Sequence, residues 1–215
     1  MSQNPADNNK RILSAGIKEL GLGITESQQK KLLDYIALLL KWNKAYNLTA
    51  IRQSESMIVR HLLDSLSVSA YLTGDNIIDV GTGPGIPGIP LAIIFPHRRF
   101  TLLDSNGKKV RFIHQAKQNL ILDNVDIVQS RVEEYQPDQL YDAIISRAFT
   151  SLEQMILTTG HLLKDTGLIQ AMKGSYPEPD QKPLPESWEV EKVIKLSVPK
   201  LNEQRHLVNI RRLPS

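Results

Sequence analysis

Apolar residues recur at helical spacing through the first third of the chain. Ile12, Leu13, Ile17 and Leu20 mark a short leading helix, ended by Gly21 and Gly23. Leu32, Leu33, Tyr35, Ile36, Leu39, Leu40 and Trp42 form a broad apolar face over several turns, and the pattern breaks near Asn47. Thr25 with Gln28 three residues on has the form of a capping box for that helix. Ile58, Leu62, Leu66 and Tyr71 predict a third helix over about 55–71, with Ser54 as its N-cap. The pattern changes at Gly74. Residues 76–80 (NIIDV), 100–104 (FTLLD), 125–129, 141–146 (YDAIIS) and 167–172 (GLIQAM) are short β-type runs. A glycine turn with an apolar helix, a basic helix over about 108–120 and a helix over about 152–163 lie among them. Such alternation predicts a doubly wound parallel sheet. Residues 189–198 and 207–211 alternate apolar with polar, as a terminal antiparallel pair does, and the Pro-rich stretch 176–185 reads as a loop. The expected organisation is a helical extension over 1–73, packed on a catalytic domain over 74–215.

Composition narrows the chemistry. Across 215 residues the chain has 26 Lys and Arg against 23 Asp and Glu, a net charge of +3. That balance permits an anionic partner without demanding one. There is no cysteine, which excludes a disulfide scaffold, a thiolate zinc site and a cysteine nucleophile. No metal site is expected. Residues 1–9 are polar, without the apolar run of a secretory signal. The apolar stretch 86–95 is about half the length that spans a bilayer and carries two prolines. A cytoplasmic protein with no membrane partner is the expectation.

The candidate site begins at residues 79–85 (DVGTGPG), directly after the first strand. Strand, glycine turn and helix is where α/β folds bind nucleotides. Gly81, Gly83 and Gly85 let the backbone pass close beneath a ligand. Residues 83–88 match G-x-G-x-x-G, which suggests NAD. A pyrophosphate, however, needs free N–H groups at a helix start, and Pro84, Pro87 and Pro90 each remove a donor. S-adenosylmethionine (SAM) has no phosphate to hold. Asp79 also suits its ammonium group. Asp104 ends the second strand and is placed to accept hydrogen bonds from ribose hydroxyls, a feature common to NAD and SAM sites.

The acceptor is narrowed by what the chain lacks. C5 methylation of pyrimidines uses a cysteine, and exocyclic amines use an Asn/Asp-Pro-Pro-aromatic loop; here the corresponding loop is Ser146-Arg147-Ala148-Phe149. Guanine N7 fits, because it has a lone pair and no proton to remove. Catalysis then reduces to holding N7 in line with the sulfonium methyl. Lys108, Lys109, Arg111, His114 and Lys117 on one helix, and Lys195, Lys200, Arg205, Arg211 and Arg212 in the tail, are each either phosphate contacts or a solvated face.

Residues 42–49 (WNKAYNLT), 60–66 (RHLLDSL), 79–90 (DVGTGPGIPGIP), 103–105 with Lys108 and Lys109, 130–134 (SRVEE), 145–149 (ISRAF), Lys173-Gly174 and Arg205-His206 resemble motifs of a known family. It is the bacterial small-subunit ribosomal RNA guanine-N7 methyltransferases, RsmG (GidB). The resemblance implies a class I SAM-dependent methyltransferase fold, Rossmann-like, with a mostly parallel seven-stranded sheet and an antiparallel last strand. It implies N7 methylation of a guanine in the decoding-region loop of 16S rRNA, as RNA or small ribosomal subunit particle, with no obligate protein partner. By matching motifs, Gly81 and Ile86 line the SAM site with Gly83 and Gly85 in the same turn, Asp104 takes the ribose, Val132 and Glu133 sit at the adenine, and Arg147 lies near the methionine end. Arg60, Lys108, Lys109, Arg111, Lys173 and Arg205 are the candidate RNA contacts. No residue is assigned to the chemical step itself; Arg147 and Lys173 are candidates for positioning. Trp42 and Tyr46 are expected to pack the extension onto the sheet, and His61 to pair with Asp64. Three alternatives stay open. They are a ribose 2′-O or small-molecule methyltransferase with Lys173 as base, a non-catalytic SAM- or RNA-binding module, and an NAD-dependent oxidoreductase.

Overall fold

The structure is a computed structural model, and it describes residues 5–149, 151–176 and 182–214. Two long helices lead, α1 (Pro5–Glu19) and α2 (Glu26–Tyr46). The capping box at α2 is formed in both directions: Gln28 N–H donates to Thr25 Oγ1 at 3.2 Å, and Thr25 N–H to Gln28 Oε1 at 3.0 Å. Gln28 Nε2 also donates to Ile93 O at 3.0 Å, so the cap ties α2 to the end of another helix.

The third helix departs from expectation. It consists of α3 (Ser54–Met57), a π-helical turn (Ile58–Leu63) and α4 (Asp64–Leu66). Its N-cap is Gln53, without a side-chain cap bond; Ser54 is already helical, and its hydroxyl donates to Asn9 Oδ1 at 3.2 Å. The wide turn also shifts the side-chain register. His61 and Asp64 therefore find separate partners instead of each other, and Tyr71 is exposed.

Seven strands follow: β1 (Asn76–Val80), β2 (Arg99–Leu103), β3 (Val125–Val128), β4 (Tyr141–Ser146), β5 (Leu163–Lys173), β6 (Trp188–Leu196) and β7 (Arg205–Arg212). Helices α5 (Gly88–Ile94), α6 (Gly107–Leu120) and α7 (Leu152–Thr159) connect the parallel strands. The sheet order is β3-β2-β1-β4-β5-β7-β6, with β7 antiparallel to both β5 and β6. The class I architecture expected from the sequence is present. Of the Pro-rich stretch, residues 177–181 lie outside the described residues.

Both sheet faces are buried, which is why the parallel strands read as continuous apolar runs. Ile77, Phe100 and Ile145 join a core with Leu13, Leu32, Tyr35, Leu39 and Phe112, so the N-terminal helices close one face. Ile78, Leu103 and Ile144 join a second core with Leu152, Met155 and Ile156 of α7. Trp42 packs edge-on against Phe112 of α6 at 5.7 Å and belongs to the rim of the first core; the Tyr46 ring lies 5.2 Å from it, tilted, and stays exposed. The strand order reverses between β1 and β4, and the crevice at their carboxyl ends is the ligand position of open α/β sheets.

Candidate functional site

The glycine turn is drawn across the carboxyl end of β2. Gly81 N–H and Thr82 N–H both donate to Leu103 O, at 2.9 and 3.1 Å. Gly83 N–H donates to Asp104 Oδ2 at 2.9 Å. Gly81 and Gly83 have φ of +67° and +64°, a region that side chains with a Cβ avoid. At Gly81 a Cβ would also lie 2.7 Å from that of Ala148. From the other side, Tyr35 on α2 donates its hydroxyl to Pro84 O at 2.9 Å, so the extension pins the turn.

Asp79 braces the turn from beneath. Its Oδ2 accepts from Thr82 Oγ1 at 2.6 Å and from Gly88 N–H, at the start of α5, at 2.8 Å. Burial raises its pKa to about 7. Its Oδ1 is buried and has no hydrogen-bond partner among the described residues.

Two cavities open beside the turn and share Gly81 and Ala148 in their walls. The first, about 350 Å³, runs along the ends of β2 and β3 and is lined by Asp104, Ser105, Lys109, Ser130, Val132 and Glu133, among others. Asp104 Oδ1 accepts from Asn106 N–H at 2.8 Å, and Lys109 Nζ lies 3.5 Å from Oδ2. A carboxylate has about four acceptor positions, so it retains capacity for a further donor.

The second cavity, about 220 Å³, lies between the turn and the N-terminal helices. Its walls include Leu48, Thr49, His61, Pro84, Ile86 and Arg147. Asn43 shapes the segment that brings in Thr49: its Oδ1 accepts from Thr49 N–H at 2.9 Å, and its Nδ2 donates to Ile51 O at 3.0 Å. Asn47 caps α2 in the left-handed region, at φ 50°. His61 Nδ1 faces the carbonyl of Arg60 at 3.2 Å. A carbonyl accepts only, so Nδ1 carries the proton, and Nε2 accepts from the Thr49 hydroxyl at 2.9 Å. Burial, with the Arg147 charge second, lowers the His61 pKa to about 4, so the ring is neutral at pH 7.

Arg147 is held by Asp64, a fully buried carboxylate. Arg147 Nη1 lies 3.0 Å from Asp64 Oδ2, and Arg205 Nε lies 3.1 Å from Oδ1. Arg205 Nη2 continues to Glu203 Oε2 at 2.9 Å, and the other Glu203 oxygen takes Arg60. Two cations balance the desolvation of Asp64, a requirement for any buried charge.

A family model described as "rRNA small subunit methyltransferase G" matches residues 28–208. The ribosomal RNA small subunit methyltransferases G of Escherichia coli O1:K1 / APEC and of Shigella boydii serotype 18 are each 50% identical over 199 residues, covering 93% of this chain and 96% of theirs. The chain belongs to the rRNA small subunit methyltransferase G family. Its fold is shared more widely. A SAM-dependent methyltransferase from Aquifex aeolicus superposes with a TM-score of 0.55 at 16% identity, over 72% of this chain and 92% of that one. The mitomycin 7-O-methyltransferase MmcR gives 0.60 at 15% identity, over 83% and 60%.

The methyltransferase G motifs come together unevenly. Gly81, Asp104, Val132 and Glu133 line the first cavity. Gly81, Gly83, Ile86 and Arg147 line the second. Gly85 and Asp79 line neither; Gly85 sits against Ile89, where a Cβ would come within 2.7 Å of Cδ1, and Asp79 is fully buried beneath the turn with Oδ1 unpartnered among the described residues. Lys108 and Arg111 are exposed on α6, whereas Lys109 turns inward to Asp104. Lys173 is buried at the end of β5, its Nζ donates to Phe149 O at 2.8 Å, and it lines neither cavity. Arg205 is mostly buried and bound to Asp64, which departs from an open phosphate contact. Sequence reasoning missed Leu48, Thr49 and His61 as walls of the site. The string WNKAYNLT marked their neighbourhood but not their role.

Proposed function

We infer that this member of the methyltransferase G family transfers the methyl group of SAM to N7 of a guanine in 16S rRNA. The junction of the two cavities at Gly81 and Ala148 carries the reading. One cavity has the ribose acceptor Asp104; the other is walled by segments remote in sequence and admits a second reactant. SAM supplies an electrophilic methyl group on a sulfonium. The Asp104 carboxylate and the turn at Val132 and Glu133 hold the nucleoside half. The unpartnered Asp79 Oδ1 matches an ammonium group, directly or through water, and Arg147 has donors beyond those used on Asp64 and the Arg60 carbonyl.

The acceptor cavity suits a base that needs no deprotonation. His61 is neutral, and its Nε2 lone pair is taken by Thr49. Placing the N7 lone pair in line with the methyl carbon is then what these walls contribute. A ribose hydroxyl would need a base, and buried Lys173 faces neither cavity. A dinucleotide would need free turn amides, yet the N–H groups of Gly81, Thr82, Gly83, Gly85 and Ile86 are all bonded within the protein. In an A-form helix N7 lies in the deep groove, so the target is a loop, read here as the decoding-region loop of RNA or of a small-subunit particle in the cytoplasm. Among the described residues no helix is long and apolar enough to cross a membrane.

The test uses labelled SAM and small-subunit particles from cells lacking this activity, followed by nucleoside analysis. Label in 7-methylguanosine, removed by Asp104→Ala, is the expected result. Label in a different nucleoside overturns the acceptor, and no label despite SAM binding overturns the enzymatic reading.

A further inference from the structure

The chain of charges behind the acceptor cavity ends in a group that the methyl transfer does not use. Glu203 is exposed, yet its two oxygens are divided between two guanidinium groups: Oε1 to Arg60 and Oε2 to Arg205 Nη2, the latter at 2.9 Å. This is how the two non-bridging oxygens of a phosphodiester engage a pair of arginines. Arg205 is fixed from behind. Its Nε is held by buried Asp64 at 3.1 Å and its Nη1 by Gln204 O at 2.8 Å, so Nη2 is aimed at the bridging position whatever occupies it. A groove of about 460 Å³ runs past this position, with Ser56, Lys200 and Asn202 in its walls. Its other carboxylate, Glu55, is bonded by Asn8.

Arg60 joins the groove to the reaction site. Its side chain reaches the groove, while its carbonyl accepts from Arg147 Nη1 at 3.3 Å and from His61 Nδ1, both in the acceptor cavity wall. One residue thus puts its carbonyl against the wall of the acceptor cavity and its guanidinium in the groove. Exposed ion pairs contribute little net stability, because water solvates the separated charges well. Exchanging a carboxylate for a phosphate between the same two arginines is therefore nearly neutral for the protein and favourable for an RNA that releases counterions.

We propose that the Glu203 carboxylate holds the place of a backbone phosphate of the substrate RNA, and that the RNA gains Arg60 and Arg205 by displacing it. The inference rests on the reading of an RNA substrate above, and it makes Glu203 an internal competitor of that substrate. The alternative role for the same contacts is a brace, in which Glu203 merely orients the arginines. The two roles predict opposite signs.

The experiment measures binding of the full chain to a synthetic hairpin carrying the decoding-region loop, by fluorescence anisotropy across a salt series. Glu203→Gln and Glu203→Ala are both expected to tighten binding, roughly two- to fivefold, the range that releasing the exposed Arg60–Glu203 pair alone covers. Arg60→Gln is expected to weaken binding and lower the salt slope by about one. Adding Glu203→Gln to Arg60→Gln is expected to give less gain, because one of the competitor's two partners is already gone. Unchanged SAM affinity in each variant shows that the fold is intact. Weaker or unchanged RNA binding in both Glu203 variants overturns the proposal in favour of a brace. A gain for inorganic phosphate without one for the hairpin overturns the assignment to RNA. Methyl transfer by the unaltered chain is read separately, so failure of this proposal leaves the N7 result standing.

Discussion

The cavity at Asp104 and the cavity at His61 share a wall but are assembled by different means. The first is local. Its floor is a glycine turn, its acid ends the next strand, and its far side is the turn after β3, so each contributor lies where a strand stops. The second draws residues 48, 49 and 61 from the helical extension onto residues 81–84, 86 and 147–148. Its geometry depends on Asp64 holding Arg147 and Arg205 together, and on Tyr35 holding Pro84. Strand ends give the donor side a rigid frame; the acceptor side depends on contacts between distant parts of the chain.

The sharpest way to break this contrast is Asp64→Ala. Two partly buried arginines would lose their shared counter-ion, at a cost of about 2–4 kcal/mol. Urea denaturation should show that loss, and methyl transfer should fall more steeply than SAM affinity. Equal loss of both would mean that the two sides are not separable. Gly81→Ala acts on the shared wall. A Cβ at φ +67° and 2.7 Å from Ala148 is expected to weaken SAM binding at least about tenfold and to lower stability by about 1–2 kcal/mol. Calorimetric titration with SAM measures the first, and a thermal melt the second.

The smallest effect separates the sides by pH. Asp79 beneath the turn has its pKa raised from an ordinary 3.8 to about 7. Between those values the folded state binds more protons than the unfolded chain, so stability falls as pH rises through that window and is level above it. His61 has its pKa lowered from 6.5 to about 4, the opposite case. Its contribution rises with pH from about 4 to 6.5. Asp79→Asn should therefore make the urea midpoint climb with pH in that range, and His61→Gln should make it decline. Parallel curves for the two variants would refute these assignments.

What could be read from sequence follows the same division. The strands, the capping box at Thr25 and Gln28, the glycine turn and Asp104 depend on residues a few positions apart, and alternation and spacing reveal them. The pairing of His61 with Asp64 was misread because the π-helical turn breaks the period on which it rested. The burial of Lys173 and Arg205, both candidate RNA contacts, is not legible because a sequence displays charge but not burial. Their partners, Phe149 O and Asp64, lie 24 and 141 positions away. Thr49 was hidden for a like reason: its role depends on Asn43 closing the segment and on His61 arriving from the next helix.

The span between Asp64 and Arg205 also bears on how the protein is made. During synthesis Asp64 emerges before both of its arginines, and Arg205 follows it by 141 positions. Until then this carboxylate is under-neutralised, and keeping it in water opposes final docking of the extension. Donor-side strands can pair while the chain is still growing, but the acceptor wall closes last.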